Sequence, residues 1–340
     1  MASPLEHRDW LDWVRKVIET PAENPSPREF PPFLFSCHLE DQPDHLVPYH
    51  ALDIPDSATV ALNPRCQFVE DEELPPEHGE KTSLAENLDL RGPIAWVPHA
   101  ASGAWQPFWL SEEWARLLRQ TRAGTSSPVR LPAKFRKTLT MAGILIAQGT
   151  MSPDWEKTLT TASRQYRERG YAAVAGLIHP FHVSALRRYY RCQVRTGRMI
   201  LGDGQSSRRY VAHNDSVARF FHHQLTAVVR RLAGESVKPS YVYVASYQEG
   251  AELQRHTDRE QCEFSITFCL DYSPEPALAT GWPLTLHTDE GTVTVHQALG
   301  DALFYRGRQL PHSRAALRQG HTSTSIFFHY VREDFAGPLD

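Results

Sequence analysis

The C-terminal half of the chain contains short apolar runs rich in β-branched and aromatic residues. Runs of this length and composition, bounded by turn residues, predict buried strands rather than helices. Gly250 follows the first run, and a Gly-Asp pair begins the third. We therefore predict four strands in this half, at Tyr241–Tyr247, Phe264–Leu270, Gly300–Tyr305 and Ser325–Val331.

From residue 151 to the first of these strands, the apolar positions mostly recur with helical spacing, and capping residues mark the helix ends. Ser152, followed by proline, is predicted to cap the first helix, and Gly170 to end it. His222 and His223 lie on the last helix and are predicted to be packing or surface residues, not ligands. The predicted elements are helices at 152–169, 180–196 and 216–233, the last capped by Asn214-Asp215-Ser216, and a strand at Tyr171–Ile178.

The first 150 residues have a less regular pattern. The stronger signals are a hairpin or a strand followed by a loop at 91–110, two helices that follow Ser111 and Pro132, and an apolar run that ends a helix or forms a strand. The hairpin strands are Ile94–Val97 and Ala104–Leu110, and the apolar run is Ala142–Ile146. The weaker signals are a helix at 8–20, a proline-rich connector at 21–32, a solvated acidic loop at 71–81, and strands at Phe33–Phe35 and Ala58–Leu62.

Two interpretations of this N-terminal region stay open. Residues 110–147 are loosely similar to a winged-helix-like or peptide-recognition module. Alternatively, the region is a lid or packing layer for the C-terminal half of the chain. We predict an accessory region at 1–150 and a second domain at 151–340.

Composition narrows the class of protein. The formal net charge is −4 and the isoelectric point is about 6.5, so binding of nucleic acid through phosphate neutralisation is not expected. We expect no signal peptide and no membrane span, because no apolar run is long enough. The cysteines are odd in number and form no CxxC pair, which favours reduced thiols and a cytoplasmic protein; they are Cys37, Cys66, Cys192, Cys262 and Cys269.

Three residues between the predicted strands carry the candidate chemistry: His256, Asp258 and His312. Alternate residues of a strand share a face, so we expect His256 and Asp258 to point the same way and Thr257 to point away. A later strand that returns beside the first can bring His312 to them. Two imidazoles and one carboxylate on one face of a metal are typical of non-haem iron(II), which keeps its other positions open.

The order of these motifs and strands resembles the double-stranded β-helix, or jelly-roll, core of iron(II)- and 2-oxoglutarate-dependent oxygenases, prolyl-hydroxylase branch, over residues 168–331. The resemblance implies an α+β fold with flanking helices and a metal held by His256, Asp258 and His312 as catalytic residues. It also implies that 2-oxoglutarate is oxidised to succinate and CO₂ while a substrate is hydroxylated. The alternative is a cupin-like barrel whose histidines are buried and hydrogen-bonded.

The resemblance also implies a basic residue that binds the distal carboxylate of 2-oxoglutarate, nine or ten residues after the second histidine. His321 and Thr322 occupy those positions, and neither is a strong cation. Arginine is the natural anchor because its planar fork matches a carboxylate. Among Arg306, Arg308, Arg314 and Arg318 we favour Arg318, with Thr322 or Thr324 as a hydroxyl partner and Arg308 and Arg306 as rivals.

Other residues are candidates for binding organic ligands. Tyr247 stands where the family often has a tyrosine that hydrogen-bonds the co-substrate, and Tyr243 lies on the same face of its strand. Arg259 and Glu275 are candidate substrate contacts beside the predicted barrel entrance.

Three candidate functions result, in order of preference. The first is an iron(II)- and 2-oxoglutarate-dependent dioxygenase that hydroxylates a peptide, an amino acid or a small metabolite. The second is a non-haem iron oxygenase that does not use 2-oxoglutarate, motivated by the missing cation at 321 and 322. The third is a non-catalytic module that binds a peptide or nucleic acid.

Overall fold

A computed structural model describes residues 34–42, 60–70, 86–122, 132–147 and 154–340. The helix predicted at 8–20, the connector at 21–32 and the loop at 71–81 lie outside these residues. Phe33, Ala58 and Thr59, from the two weaker strand predictions, also lie outside them.

Five α-helices and a short 3₁₀ helix at Leu39–Asp41 occur in the described residues. The α-helices are α1 at Glu112–Arg122, α2 at Ala133–Met141, α3 at Trp155–Arg169, α4 at Pro180–Arg195 and α5 at Ser216–Ala233. Both helices predicted after Ser111 and Pro132 are therefore present, and the Ser111 Oγ accepts a hydrogen bond from the Trp114 amide at 3.3 Å.

Most strands of the described residues follow residue 170. The first five strands are β1 at Val60–Leu62, β2 at Gln67–Val69, β3 at Ile94–Pro98, β4 at Trp105–Trp109 and β5 at Leu145–Ala147. The next six are β6 at Tyr171–Ala175, β7 at Ile200–Leu201, β8 at Arg209–His213, β9 at Val237–Tyr247, β10 at Leu253–His256 and β11 at Phe264–Ser273. The last five are β12 at Leu284–Thr288, β13 at Gly291–Val295, β14 at Asp301–Tyr305, β15 at His312–Arg314 and β16 at Thr322–Arg332.

Two antiparallel sheets organise the C-terminal half. A seven-stranded sheet has the order β6-β14-β11-β16-β9-β8-β7, and a four-stranded sheet has the order β10-β15-β12-β13. Two smaller sheets, β2-β3-β4 and β1-β5, precede them. The prediction of a mixed fold of helices and antiparallel strands is confirmed.

Capping explains where the helices of the C-terminal half begin and end. Asp215 caps α5 by accepting a hydrogen bond from the Ala218 amide, and Gly170 ends α3 in the left-handed conformation, both as predicted. The predicted cap of α3 is wrong, because the helix begins after Asp154 rather than Ser152. The Asp154 carboxylate accepts from the Lys157 amide at 3.0 Å and also suits the positive end of the helix dipole.

Aromatic side chains join the N-terminal residues to the helices of the C-terminal half in one core. The Phe35 and Phe221 rings lie edge to face at 5.9 Å, and those of Trp96 and Phe220 at 6.3 Å. His222 is buried and its Nε2 bonds the His329 carbonyl, in agreement with the predicted packing role. Among the described helices, none combines the length and apolar composition that crossing a bilayer requires.

Candidate functional site

The structure brings His256, Asp258 and His312 together. His256 ends β10, and His312 begins β15 directly opposite it, with ring centroids 4.4 Å apart. The Asp258 Oδ1 lies 3.5 Å from His312 Nε2 and 3.8 Å from His256 Nε2. One ligand atom from each residue therefore lies within 4.8 Å of the other two.

Asp258 is held by a loop and not by the strand that the sequence predicts. Strand β10 stops at His256, and the Asp258 amide donates to the Gly307 carbonyl at 2.9 Å. Glycine at position 307 matters here, because a Cβ at this position would stand 2.4 Å from Asp258 Oδ2. A residue without a side chain thus lets the carboxylate approach the two imidazoles.

Backbone carbonyls orient both imidazoles. The Nδ1 of His256 bonds the Gln254 carbonyl at 2.7 Å, and the Nδ1 of His312 bonds the Leu310 carbonyl at 3.0 Å. Because a carbonyl only accepts, each Nδ1 carries the proton and each Nε2 is left with a lone pair. Burial lowers the pKa of His312, against the opposing effect of the nearby Asp258 carboxylate. The neutral form that binds a metal is therefore favoured.

A cavity of about 370 Å³ adjoins these three residues. Its wall includes Tyr247, Arg314 and the Asp203–Gln205 loop. Arg259, a predicted substrate contact, also lines the cavity, and its guanidinium lies 4.8 Å from the Tyr241 ring centroid.

Arg314 is the most unusual cation of the cavity. It lies two residues after His312 on β15, and its side chain is buried. Its Nη1 donates to the Trp282 carbonyl at 2.8 Å and its guanidinium lies 4.6 Å from the Trp282 ring centroid. The buried Nε has no hydrogen-bond partner, and no carboxylate of the described chain lies within salt-bridge distance. Burial lowers the pKa of Arg314, which reflects a charge without a counter-ion.

Tyr247 is fully buried beside this arginine. Its hydroxyl accepts a hydrogen bond from the Arg209 Nη1 at 3.0 Å, so its own proton is free to donate to a ligand. Arg209 is held in turn by Asp203, whose Oδ2 accepts from the Arg209 Nε at 2.9 Å. Tyr243 does not share this role, because its hydroxyl donates to Asp203.

The structure does not bring the other predicted ligand-binding residues to the cavity. Arg318 is exposed in the loop between β15 and β16, and Arg308 is exposed in the turn between β14 and β15. Thr322 begins β16 and does not line the cavity. Glu275 is an exposed loop residue whose carboxylate pairs with Arg187 at 3.1 Å. None of these four residues lines the cavity.

Sequence reasoning considered Arg314 but favoured Arg318, and it did not single out Arg209 or Asp203. Arg314 shares a strand face with His312 by simple alternation, so its spacing could have identified it. Arg209 and Asp203 come from a hairpin that precedes α5, and nothing in their sequence surroundings connects them to the metal-ligand motif.

No protein-family model matches the chain, and no curated protein sequence matches it significantly. Solved structures do resemble it over about half of its length. A prolyl-4-hydroxylase from Pseudomonas putida is 16% identical, with 52% of this chain and 99% of that chain covered and a TM-score of 0.44. A 2OG-Fe(II) oxygenase family oxidoreductase from Burkholderia pseudomallei is 13% identical, with 52% and 92% covered and a TM-score of 0.42.

HygX from Streptomyces hygroscopicus, solved with nickel, 2-oxoglutarate and hygromycin B, is 13% identical to this chain. The similarity covers 54% of this chain and 89% of HygX, with a TM-score of 0.40. The structures that resemble this chain thus include members of the oxygenase class that its sequence resembles.

Proposed function

We propose that the protein is an iron(II)- and 2-oxoglutarate-dependent oxygenase that hydroxylates an organic substrate. One observation carries the proposal: two imidazoles and a carboxylate converge within 4.8 Å beside a cavity whose wall also holds the unpaired cation of Arg314. Two nitrogen ligands and one oxygen ligand suit iron(II) with open positions. A non-catalytic module would have no use for this set of ligands.

We also propose that the catalytic core is a double-stranded β-helix. The eight strands from β9 to β16 divide between two antiparallel sheets, β14-β11-β16-β9 and β10-β15-β12-β13. Consecutive strands alternate between the sheets except for β12 and β13, which are joined as a hairpin. This division supports a jelly-roll.

Each residue of the site has a role in this proposal. His256, Asp258 and His312 would hold the metal, which when bound supplies the oxidising chemistry from O₂ and the 2-oxo acid. The unpaired guanidinium of Arg314 would bind the distal carboxylate of 2-oxoglutarate, and Tyr247 would donate a second hydrogen bond to it. Arg209 keeps the Tyr247 hydroxyl oriented as a donor. Arg314 would thereby supply the cation that the family pattern places at position 321 or 322, where this chain has histidine and threonine. The absence of a cation at those two positions is then no longer a reason to propose an oxygenase that does not use 2-oxoglutarate.

We infer that the oxidised substrate is a peptide, an amino acid or a small metabolite that contacts Arg259 at the cavity wall. Residues 1–150 form an accessory region, and the contacts of Phe35 and Trp96 with α5 favour a packing layer over a winged-helix module. The catalytic domain spans 151–340. The five cysteines are free thiols, which supports a cytoplasmic location.

Metal binding tests the proposal. Equilibrium titration with iron(II) under anaerobic conditions should give one metal per chain in the wild type. His256→Ala, Asp258→Ala and His312→Ala should each abolish stoichiometric binding, because three protein ligands are the minimum for this site. His296→Ala is the matched control, since His296 lies outside the cavity wall. This variant should bind iron(II) as the wild type does. Equal iron binding by all five proteins would refute the proposal.

A further inference from the structure

A row of buried side chains crosses the large sheet beneath Asp258. Strand β11 lies between β14 and β16, and Ser265 is paired with Tyr305 on one neighbour and with His329 on the other. Directly paired residues of antiparallel strands present their side chains on the same face. All three side chains are buried, and Ser265 is completely so.

The two oxygens of the Asp258 carboxylate face different partners. Oδ1 is the atom near both histidine Nε2 atoms, at 3.5 and 3.8 Å. Oδ2 faces the sheet, where it accepts from the Ser265 Oγ at 3.0 Å and from the Tyr305 hydroxyl at 3.5 Å. The row therefore contacts only the oxygen that is turned away from the candidate metal position.

The direction of the hydrogen bonds follows from the number of protons. An ionised carboxylate and a carbonyl only accept, so Ser265 donates its single proton, and Asp258 at 3.0 Å is a nearer acceptor than the Cys262 carbonyl at 3.4 Å. The Ser265 Oγ must then accept from the His329 Nδ1, which lies 3.0 Å away. On the other side, the Thr267 hydroxyl donates to Tyr305 at 3.4 Å. Two chains of donors thus end on the same carboxylate oxygen.

From this arrangement we infer that Ser265, Tyr305 and His329 are positioning residues that keep Asp258 Oδ2 in hydrogen bonds, so that Asp258 offers only Oδ1 to the metal. The inference rests on the proposed function. Its consequence is that the carboxylate does not chelate, and the coordination position that a second oxygen would occupy stays open for co-substrate. Partners of this kind orient metal ligands in many proteins.

Cobalt(II) is a suitable probe, because its visible d–d absorption reports both affinity and coordination number. Ser265→Ala and Tyr305→Phe each remove one donor, and His329→Phe removes the donor to Ser265. We expect each to bind cobalt(II) about 10- to 100-fold more weakly than the wild type and to alter the d–d spectrum. His329→Asn should recover most of the affinity, because its amide nitrogen can take the place of Nδ1.

Ser163→Ala is the matched control, since Ser163 is a buried serine of α3 outside the cavity wall. Circular dichroism verifies that each variant is folded. If Ser265→Ala is unfolded, Tyr305→Phe, which keeps its aromatic ring, tests the positioning role instead. The inference would be overturned if Ser265→Ala had the cobalt(II) affinity and d–d spectrum of the wild type, or if Tyr305→Phe had them when Ser265→Ala is unfolded. His329→Asn binding as weakly as His329→Phe would overturn the part assigned to His329.

Failure of the proposed function has a different signature. In that case the wild type itself binds no cobalt(II), or His256→Ala binds it as well as the wild type. If the wild type binds and His256→Ala does not, the metal site stands, and the variants of the row judge the positioning role alone.

Discussion

Replacing Arg314 with methionine tests which residue binds the distal carboxylate of 2-oxoglutarate. Methionine is unbranched and apolar, so it can still pack against Trp282 while it removes the charge and the Nε donor. Arg314 has no carboxylate partner in the described part of the chain. The substitution therefore leaves no buried anion behind.

Opposing free energies set the stability of Arg314→Met. Loss of the charged hydrogen bond to the Trp282 carbonyl costs about 1.5–3 kcal/mol. Loss of the contact with the Trp282 ring costs up to about 2 kcal/mol. Relief of the desolvation penalty of an unpaired buried charge offsets both by several kcal/mol. We expect the free energy of unfolding, measured with urea, to change by less than about 2 kcal/mol.

The affinity for 2-oxoglutarate should change far more. Truncating one partner of a buried, hydrogen-bonded charge pair costs about 2–5 kcal/mol, which corresponds to a roughly 30- to 5,000-fold increase in Kd. An anaerobic titration of the iron(II)-loaded protein with 2-oxoglutarate, followed by visible absorption, measures this Kd directly.

Arg318→Met is the control, because Arg318 is exposed and lies outside the cavity wall. We expect its stability to change by less than about 0.5 kcal/mol and its affinity for 2-oxoglutarate to be unchanged. Normal affinity in Arg314→Met, or a large loss in Arg318→Met, would refute the assignment of Arg314.

Three further predictions concern the site and the core. Gly307→Ala should weaken metal binding about 10- to 100-fold in an iron(II) titration, because its Cβ would stand 2.4 Å from Asp258 Oδ2; wild-type affinity would contradict this. Tyr247→Phe should raise the Kd for 2-oxoglutarate about tenfold or more, through loss of a hydrogen bond to a charged group, in the same anaerobic titration. Burial lowers the pKa of His182 to about 4, whereas the unfolded chain titrates near about 6.5, so the unfolded state binds more protons between these values. Urea unfolding should therefore show that stability decreases as the pH is lowered through this window, by up to about 1.4 kcal/mol per pH unit for this histidine, and His182→Gln should reduce the slope.

Local patterns in the sequence were sufficient for most elements of the C-terminal half. Strand β9 is marked by its apolar run. Helices α4 and α5 are marked by apolar periodicity and by capping residues. None of these signals depends on distant contacts. Ser152 and Asp154 are both suitable N-cap residues for α3, and the sequence does not show which one caps the helix. In the structure the cap is Asp154.

The candidate site was predictable only in part. His256, Asp258 and His312 are recognisable by type and by the strands around them, and they do meet. We favoured Arg318 from the sequence, whereas Arg314 lines the cavity. Distance along the sequence from His312 does not show that Arg314 shares its face of β15. The position of the hairpin that carries Asp203 and Arg209 depends on the pairing of β8 with β9, which neither composition nor spacing reveals.

The most direct test of the central proposal is visible absorption of the anaerobic protein with iron(II), before and after 2-oxoglutarate is added. We predict a charge-transfer band that requires both iron(II) and 2-oxoglutarate and that is absent from His256→Ala. Iron(II) binding by the wild type, with no new band at saturating 2-oxoglutarate, would contradict the assignment of the co-substrate.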